Sequence, residues 1–165
     1  MATTTELIKE LRERTGAGIM ECKRAIDEAK SNLEAAEKLI KEWGLATAAK
    51  KAGREASQGL IESYVHAGRI GAMVEVNCET DFVARTDDFK AFAREVAMQV
   101  AATNPARISG SEPSNNGTDG DVPLLEQPYI RDPSKTIQDL LNEIITKLRE
   151  NVVIRRVARF ELGGG

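Results

Sequence analysis

The chain has 165 residues, 41% of them hydrophobic, with a formal net charge of −3 and two cysteines. That supports one compact domain or a small domain beside a larger one, and it argues against a strongly nucleic-acid-binding protein, which is usually basic. No run reaches the length of a membrane span, and the first residues carry Glu6, Glu10 and Glu13 rather than an apolar signal or an acid-poor transit segment, so the expected location is the cytoplasm. In that compartment Cys22 and Cys78 are expected as thiols rather than a disulfide. Asn116-Gly117-Thr118 matches a glycosylation sequon, which without secretion is expected to be a chance match.

In chain order, residues 3 to 14 read as a helix. Thr3 and Glu6 form a capping box, and Leu7, Ile8 and Leu11 make one apolar face. Thr15-Gly-Ala-Gly18 breaks it. A second helix is predicted from Ile19 to Lys30, with Met20, Cys22, Ala25, Ile26 and Ala29 as its apolar positions. Ser31-Asn32 stops that helix and caps a third, which carries Leu33, Ala36, Leu39, Ile40 and Trp43 and ends with Gly44 at its C′ position. Three short helices make a small bundle, a module that is marginal alone and commonly binds something. An Ala- and Lys-rich helical connector follows to Ala52, its basic residues Lys41, Lys50, Lys51 and Arg54 reading most simply as a solvated linker.

From Ser57 the texture changes. Gly59 to Val65 reads as a strand, His66-Ala67-Gly68 as a turn and Arg69 to Asn77 as the return strand. The alternation then stops at Glu75-Val-Asn-Cys-Glu-Thr-Asp-Phe-Val-Ala-Arg85, and Thr86 caps a helix over 87–102, ended by Asn104-Pro105. Asp81 and Phe82 therefore fall on a short loop between strand and helix. An exposed carboxylate beside an aromatic there could plug a partner's cleft. The residue pattern by itself favours the simpler arrangement, Phe82 in the core and Asp81 as a loop-stabilising acceptor.

Residues 106 to 123 lack the apolar content to pack and are expected to form a mobile loop. Leu124 to Ile130 reads as ordered but irregular, Asp132-Pro133 as a helix start, and Ile137 to Leu148 as a helix with six apolar positions at helical spacing. Val152 to Leu162 is a strand by content, with Val152, Ile154, Ala158, Phe160 and Leu162 on one face. Strand, strand, helix, helix, strand predicts an α+β fold: a three-helix bundle over 1–54, then a core over 55–165 of a three-stranded antiparallel sheet covered by helices. No catalytic constellation emerges. His66 has no nucleophile placed beside it, Thr15-Gly-Ala-Gly18 joins two helices rather than strand to helix, and no His/Cys spacing suits a metal.

Five segments together resemble the elongation factor Ts family, exchange factors for elongation factor Tu. They are Leu11-Arg-Glu-Arg-Thr-Gly-Ala-Gly-Ile-Met-Glu-Cys-Lys-Arg-Ala-Ile26, the Glu75–Arg85 run, His66-Ala-Gly-Arg-Ile-Gly71, Gln127-Pro-Tyr-Ile-Arg-Asp-Pro-Ser-Lys-Thr136 and Arg159-Phe-Glu-Leu-Gly163. The resemblance covers nearly the whole chain except 106–123. It implies that the bundle is similar to a ubiquitin-associated (UBA-like) domain and docks on elongation factor Tu through Arg12, Ile19 and Met20. It implies that Thr80, Asp81, Phe82 and Val83 enter near the partner's nucleotide site and help to dislodge magnesium, so that GDP leaves and GTP can bind. No catalysis, cofactor, metal, membrane or direct nucleic-acid contact is implied for the chain itself; nucleotide and magnesium are met only through the partner. Two departures accompany the resemblance. The family commonly has a longer helical excursion between Pro105 and Leu124, and longer members have two α+β units, whose second contacts here must be lost or supplied by a second copy in a homodimer. The alternative is an adaptor without exchange activity that binds peptide or RNA through the bundle and the basic connector.

Overall fold

The computed structural model describes residues 1–113 and 121–164. It is α+β and separates into two compact units. Met1–Gly53 with Asn142–Glu150 forms the first, Arg54–Leu141 with Asn151–Gly165 the second.

The first unit holds helices α1 (Thr4–Thr15), α2 (Ile19–Glu28) and α3 (Leu33–Lys51). Thr3 and Glu6 make the expected capping box, and Gly16, left-handed at φ 70°, closes α1 where a side chain would be strained. Asn32 caps α3 by accepting the Ala35 N–H at 3.0 Å. Leu11, Cys22, Ala25, Ile26 and Ala36 are fully buried at the centre, ringed by Leu7, Leu33, Ile40 and Trp43. The Arg24 guanidinium lies over the Trp43 ring, 3.8 Å from its centroid. Burial holds the Cys22 thiol above the ordinary cysteine range.

One boundary differs from the sequence reading. Gly44 does not end a helix: α3 runs through it without interruption. Gly44 is buried, and a Cβ there would come within 3.3 Å of Thr146 Oγ1, so the residue serves close packing rather than termination. That reason is invisible to a local cap rule.

The second unit is built on β1 (Gln58–His66), β2 (Ile70–Cys78) and β5 (Val152–Glu161), antiparallel in the order β1-β2-β5. In the chain between β2 and β5 come α4 (Asp81–Ala84), α5 (Asp87–Thr103), a small sheet of β3 (Pro128–Tyr129) with β4 (Asp132–Thr136), and α6 (Ile137–Leu148), whose residues from Asn142 on count with the first unit. Ala72, Val74 and Val76 are buried on one face of the sheet, and α5, which packs on β1 and β2, buries Phe89, Phe92, Val96 and Val100.

Asp132-Pro133 starts a strand, not a helix. Helix α6 begins five residues later, where Thr136 and Asp139 cap each other: the Thr136 N–H donates to Asp139 Oδ2 at 3.0 Å and the Asp139 N–H to Thr136 Oγ1 at 3.1 Å. The β3–β4 hairpin is fixed to α5 by buried Gln99, whose Nε2 donates to Gln127 Oε1 and the Pro128 carbonyl and whose Oε1 accepts the Ile130 N–H, all within 3.1 Å. Beside it the Tyr129 hydroxyl donates to Glu95, which also pairs with Arg131 at 2.6 Å.

Burial and the Glu95 carboxylate push the Tyr129 phenol up to about 12. An unfolded tyrosine titrates near 10, so this contribution to stability is complete below about pH 10 and is lost as pH rises towards 12. Urea unfolding between pH 9 and 12 should therefore show a falling midpoint in the native chain and a flatter decline in Tyr129→Phe.

The loop expected at 106–123 falls partly outside the described residues, and the sequon at Asn116 wholly so. Its described flanks are held. The N–H groups of Leu124 and Leu125 donate to the carbonyls of Arg107 and Ile108 at 3.0 Å, and Ile108 is buried.

The strand β5 does not keep one apolar face. Glu75 is opposite Arg156 but Val76 is opposite Ile154, so Arg155 is bulged out of the ladder. Parity reverses across the bulge. Val152 and Ile154 are buried, whereas Ala158, Phe160 and Leu162 face outward. They join Ile61, Val65 and Met73, which are also exposed. The register aligns the rows Ser63–Met73–Ala158 and Val65–Gly71–Phe160 across this face.

Candidate functional site

The candidate site is a capped turn at the end of β2. Asn77 and Cys78 are both buried, which ends the period-two pattern. Asn77 Nδ2 donates to the Ala56 carbonyl at 3.2 Å, and the Cys78 thiol lies 3.1 Å from the Thr80 carbonyl. Thr80 is extended and accepts the Val83 N–H at 3.3 Å, starting the one-turn helix α4. Thr86 then works in both directions: its hydroxyl donates to the Val83 carbonyl at 2.7 Å and accepts the Phe89 N–H at 3.3 Å, capping α5. One isolated helical turn does not persist in water. This one does because polar caps hold both ends and Val83 and Ala84 are buried beneath it.

The consequence for the four residues singled out is a division. Thr80, Asp81 and Phe82 are exposed; Val83 is buried. Phe82 is 77% exposed, so the sequence pattern's preference for a core phenylalanine does not hold. The turn uses Val83 as its anchor, which leaves Phe82, one residue earlier, projecting. Asp81 makes an ion pair with Arg85 one turn on, at 3.0 Å, with both side chains largely exposed. An exposed i,i+4 pair is worth only a few tenths of a kcal/mol, so it orients the carboxylate and leaves it exposed.

In the first unit Arg12, Ile19 and Met20 are all exposed. Met20, counted among the apolar positions of its helix, points away from the core and is 73% exposed. The turn that presents Ile19 and Met20 is pinned from within. Thr15 Oγ1 donates to the Leu11 carbonyl and accepts the Ala17 N–H, and the Gly18 N–H donates to Glu21 Oε2. The basic connector is partly engaged inside the chain: Lys51 Nζ donates to the Arg149 carbonyl at 2.8 Å and Arg54 pairs with Glu79 at 3.5 Å. Among the described residues no three His, Cys, Asp or Glu side chains are arranged to hold a metal, and no helix is long and apolar enough to cross a membrane.

The family model described as "Elongation factor TS" matches residues 3–117 and 79–165. The "Elongation factor Ts" of Caldanaerobacter subterraneus subsp. tengcongensis is 49% identical over 195 aligned residues, covering 98% of this chain and 98% of its own. The chain belongs to the elongation factor Ts family. Similar relatives of that name include those of Carboxydothermus hydrogenoformans, 47% identical over 98% of this chain and 90% of its own, and Herpetosiphon aurantiacus, 45% identical over 99% of each. It is thus an elongation factor of protein biosynthesis.

The sequence missed the apolar outer face of the sheet. The one signal for it is the doublet Arg155-Arg156, two adjacent charges that cannot both continue an alternating strand.

Proposed function

We propose that this elongation factor Ts family member is the guanine nucleotide exchange factor of elongation factor Tu, acting in the cytoplasm and making or breaking no covalent bond. The observation that carries the reading is Phe82, an aromatic ring standing in solvent on a turn capped at both ends. Phe82 supplies the apolar insertion into the partner and Asp81 a hydrogen-bonding carboxylate beside it. Thr80 holds the turn and Val83 anchors it, while Arg12, Ile19 and Met20 form a second contact on the bundle. Insertion beside the partner's magnesium helps to dislodge the ion. Magnesium neutralises GDP phosphate charge, so its departure weakens nucleotide binding. Linkage requires the reciprocal: a factor that binds the nucleotide-free partner best must weaken nucleotide affinity by the same factor. The test is release of a fluorescent GDP analogue from elongation factor Tu. Substoichiometric factor should accelerate complete release, and no acceleration at equimolar factor would refute the reading.

The chain also forms a homodimer in this reading. Ile61, Val65, Met73, Phe160 and Leu162 make an apolar outer sheet face, and the neighbouring Glu75–Arg156 pair, at 2.8 Å, lends it both signs of charge for a self-complementary contact. Sedimentation should give a dimer mass for the native chain, and Phe160→Glu should weaken association at least about tenfold by burying an unpaired charge. A monomeric native chain would remove the dimer and leave the exchange reading standing.

A further inference from the structure

The ladder between β2 and β5 ends at Cys78 opposite Val152. One residue beyond, a side chain takes over from the backbone. Glu79 Oε1 accepts the Asn151 N–H at 3.1 Å, and the Asn151 side chain donates from Nδ2 to the Arg54 carbonyl at 2.8 Å. Asn151 is only 4% exposed, so its polar groups depend on these partners. Two residues before Glu79, Asn77 Nδ2 holds the Ala56 carbonyl. Three separate stretches of chain, at 54–56, 77–79 and 151, are thereby joined just before Thr80 in the chain, the residue that starts the exposed turn.

We propose that Glu79 and Asn151 are positioning residues for nucleotide exchange, fixing the base of the turn so that Phe82 and Asp81 meet the partner in one orientation; this rests on the exchange reading above. The hydrogen bond to Asn151 carries the effect, not the ion pair to Arg54. The Arg54 side chain is more than half exposed and its contact is 3.5 Å long, the class of pair that contributes little. Removing the Glu79 acceptor leaves a buried N–H without it, and the backbone must shift to recover water. Thr80 is covalently next, so the shift passes to the turn. Small displacements of an inserting group are costly because the partner's cleft does not move with them.

The experiment measures catalysed GDP release from elongation factor Tu by Glu79→Ala, Glu79→Gln and Asn151→Ala, each alone and combined with Phe82→Ala, together with amide hydrogen exchange across 79–103. Glu79→Ala and Asn151→Ala should each lower kcat/KM about tenfold, and Glu79→Gln, whose amide oxygen still accepts the Asn151 N–H, by less than about threefold. In the Phe82→Ala background each should add less than about twofold, because the inserting ring is gone and only the weaker Asp81 contact is left to position. Amides of 80–86 should exchange faster while those of α5 are unchanged. Wild-type rates in both alanine variants, or losses of equal size with and without Phe82, would overturn the proposal: the second outcome is that of a merely structural contact. Should Glu79→Ala not fold, Asn151→Ala and Glu79→Gln decide the matter in the same two backgrounds. A native chain that releases no GDP overturns the exchange reading itself and the proposal with it, a result distinct from a native chain that works and variants that equal it.

Discussion

Phe82→Ala is expected to slow factor-catalysed GDP release from elongation factor Tu by roughly thirtyfold, the effect of losing about 2 kcal/mol at an inserted aromatic. Its own fold should be unaffected. The ring is 77% exposed and contributes little to the core, so the unfolding free energy should stay within about 0.5 kcal/mol of native. The two halves of the result matter together. Stopped-flow release gives the first, and urea unfolding of the isolated factor gives the second. A variant that exchanges at the native rate would show that the ring does not enter the partner. One that unfolds early would show that it belongs to this chain's own interior.

The largest expected loss of stability is at Gly59→Ala. Gly59 has φ 143°, which an L side chain rarely adopts, and a Cβ there would sit 2.1 Å from the Val76 carbonyl oxygen and 2.7 Å from Asn77 Cα. Both obstacles are backbone of the paired strand, so neither can rotate away. Strain and overpacking together should cost about 3–5 kcal/mol, read as a lower urea midpoint with an unchanged slope. Gly53→Ala is the matched control. Its surroundings are open and its φ is ordinary, so it should be neutral or slightly stabilising. Equal stabilities for the two variants would mean that β1 and β2 are not held in register at Gly59. Because β2 ends two residues before Thr80, a loosened hairpin should also slow nucleotide release.

Much of the fold was legible because the signals are local. Thr3 with Glu6, Asn32 and Thr86 cap helices where the sequence places caps, since a hydroxyl, amide or carboxylate meets backbone N–H groups two or three residues away and needs no distant partner. The hairpin turn at His66 to Gly68 and the apolar stripe of α5 follow from similarly short-range rules. The readings that failed each depended on a pairing that no cap or periodicity rule supplies. Gly44 looked like a terminator, but it serves contact with Thr146. Asp132-Pro133 looked like a helix start, but the segment pairs with 128–129 and the helix waits for Thr136. The apolar residues of β5 looked like one face, but register with β2 expels Arg155 and turns Phe160 outward.

The candidate site divides along the same line. Its residues stand in an unbroken run, Thr80 to Val83, and the resemblance that named them needs only their order. By itself the sequence determined the α+β character, the helix caps, the hairpin and membership of the elongation factor Ts family, because these are written in neighbouring residues. Only the tertiary structure decided that Val83 is the anchor and Phe82 the projecting ring, that Glu79 reaches Asn151 across 72 positions, and that the sheet turns an apolar face outward. Burial and hydrogen-bond partners between distant segments exist only once the chain has closed on itself, and no local pattern encodes which of two adjacent apolar side chains the closed structure will keep.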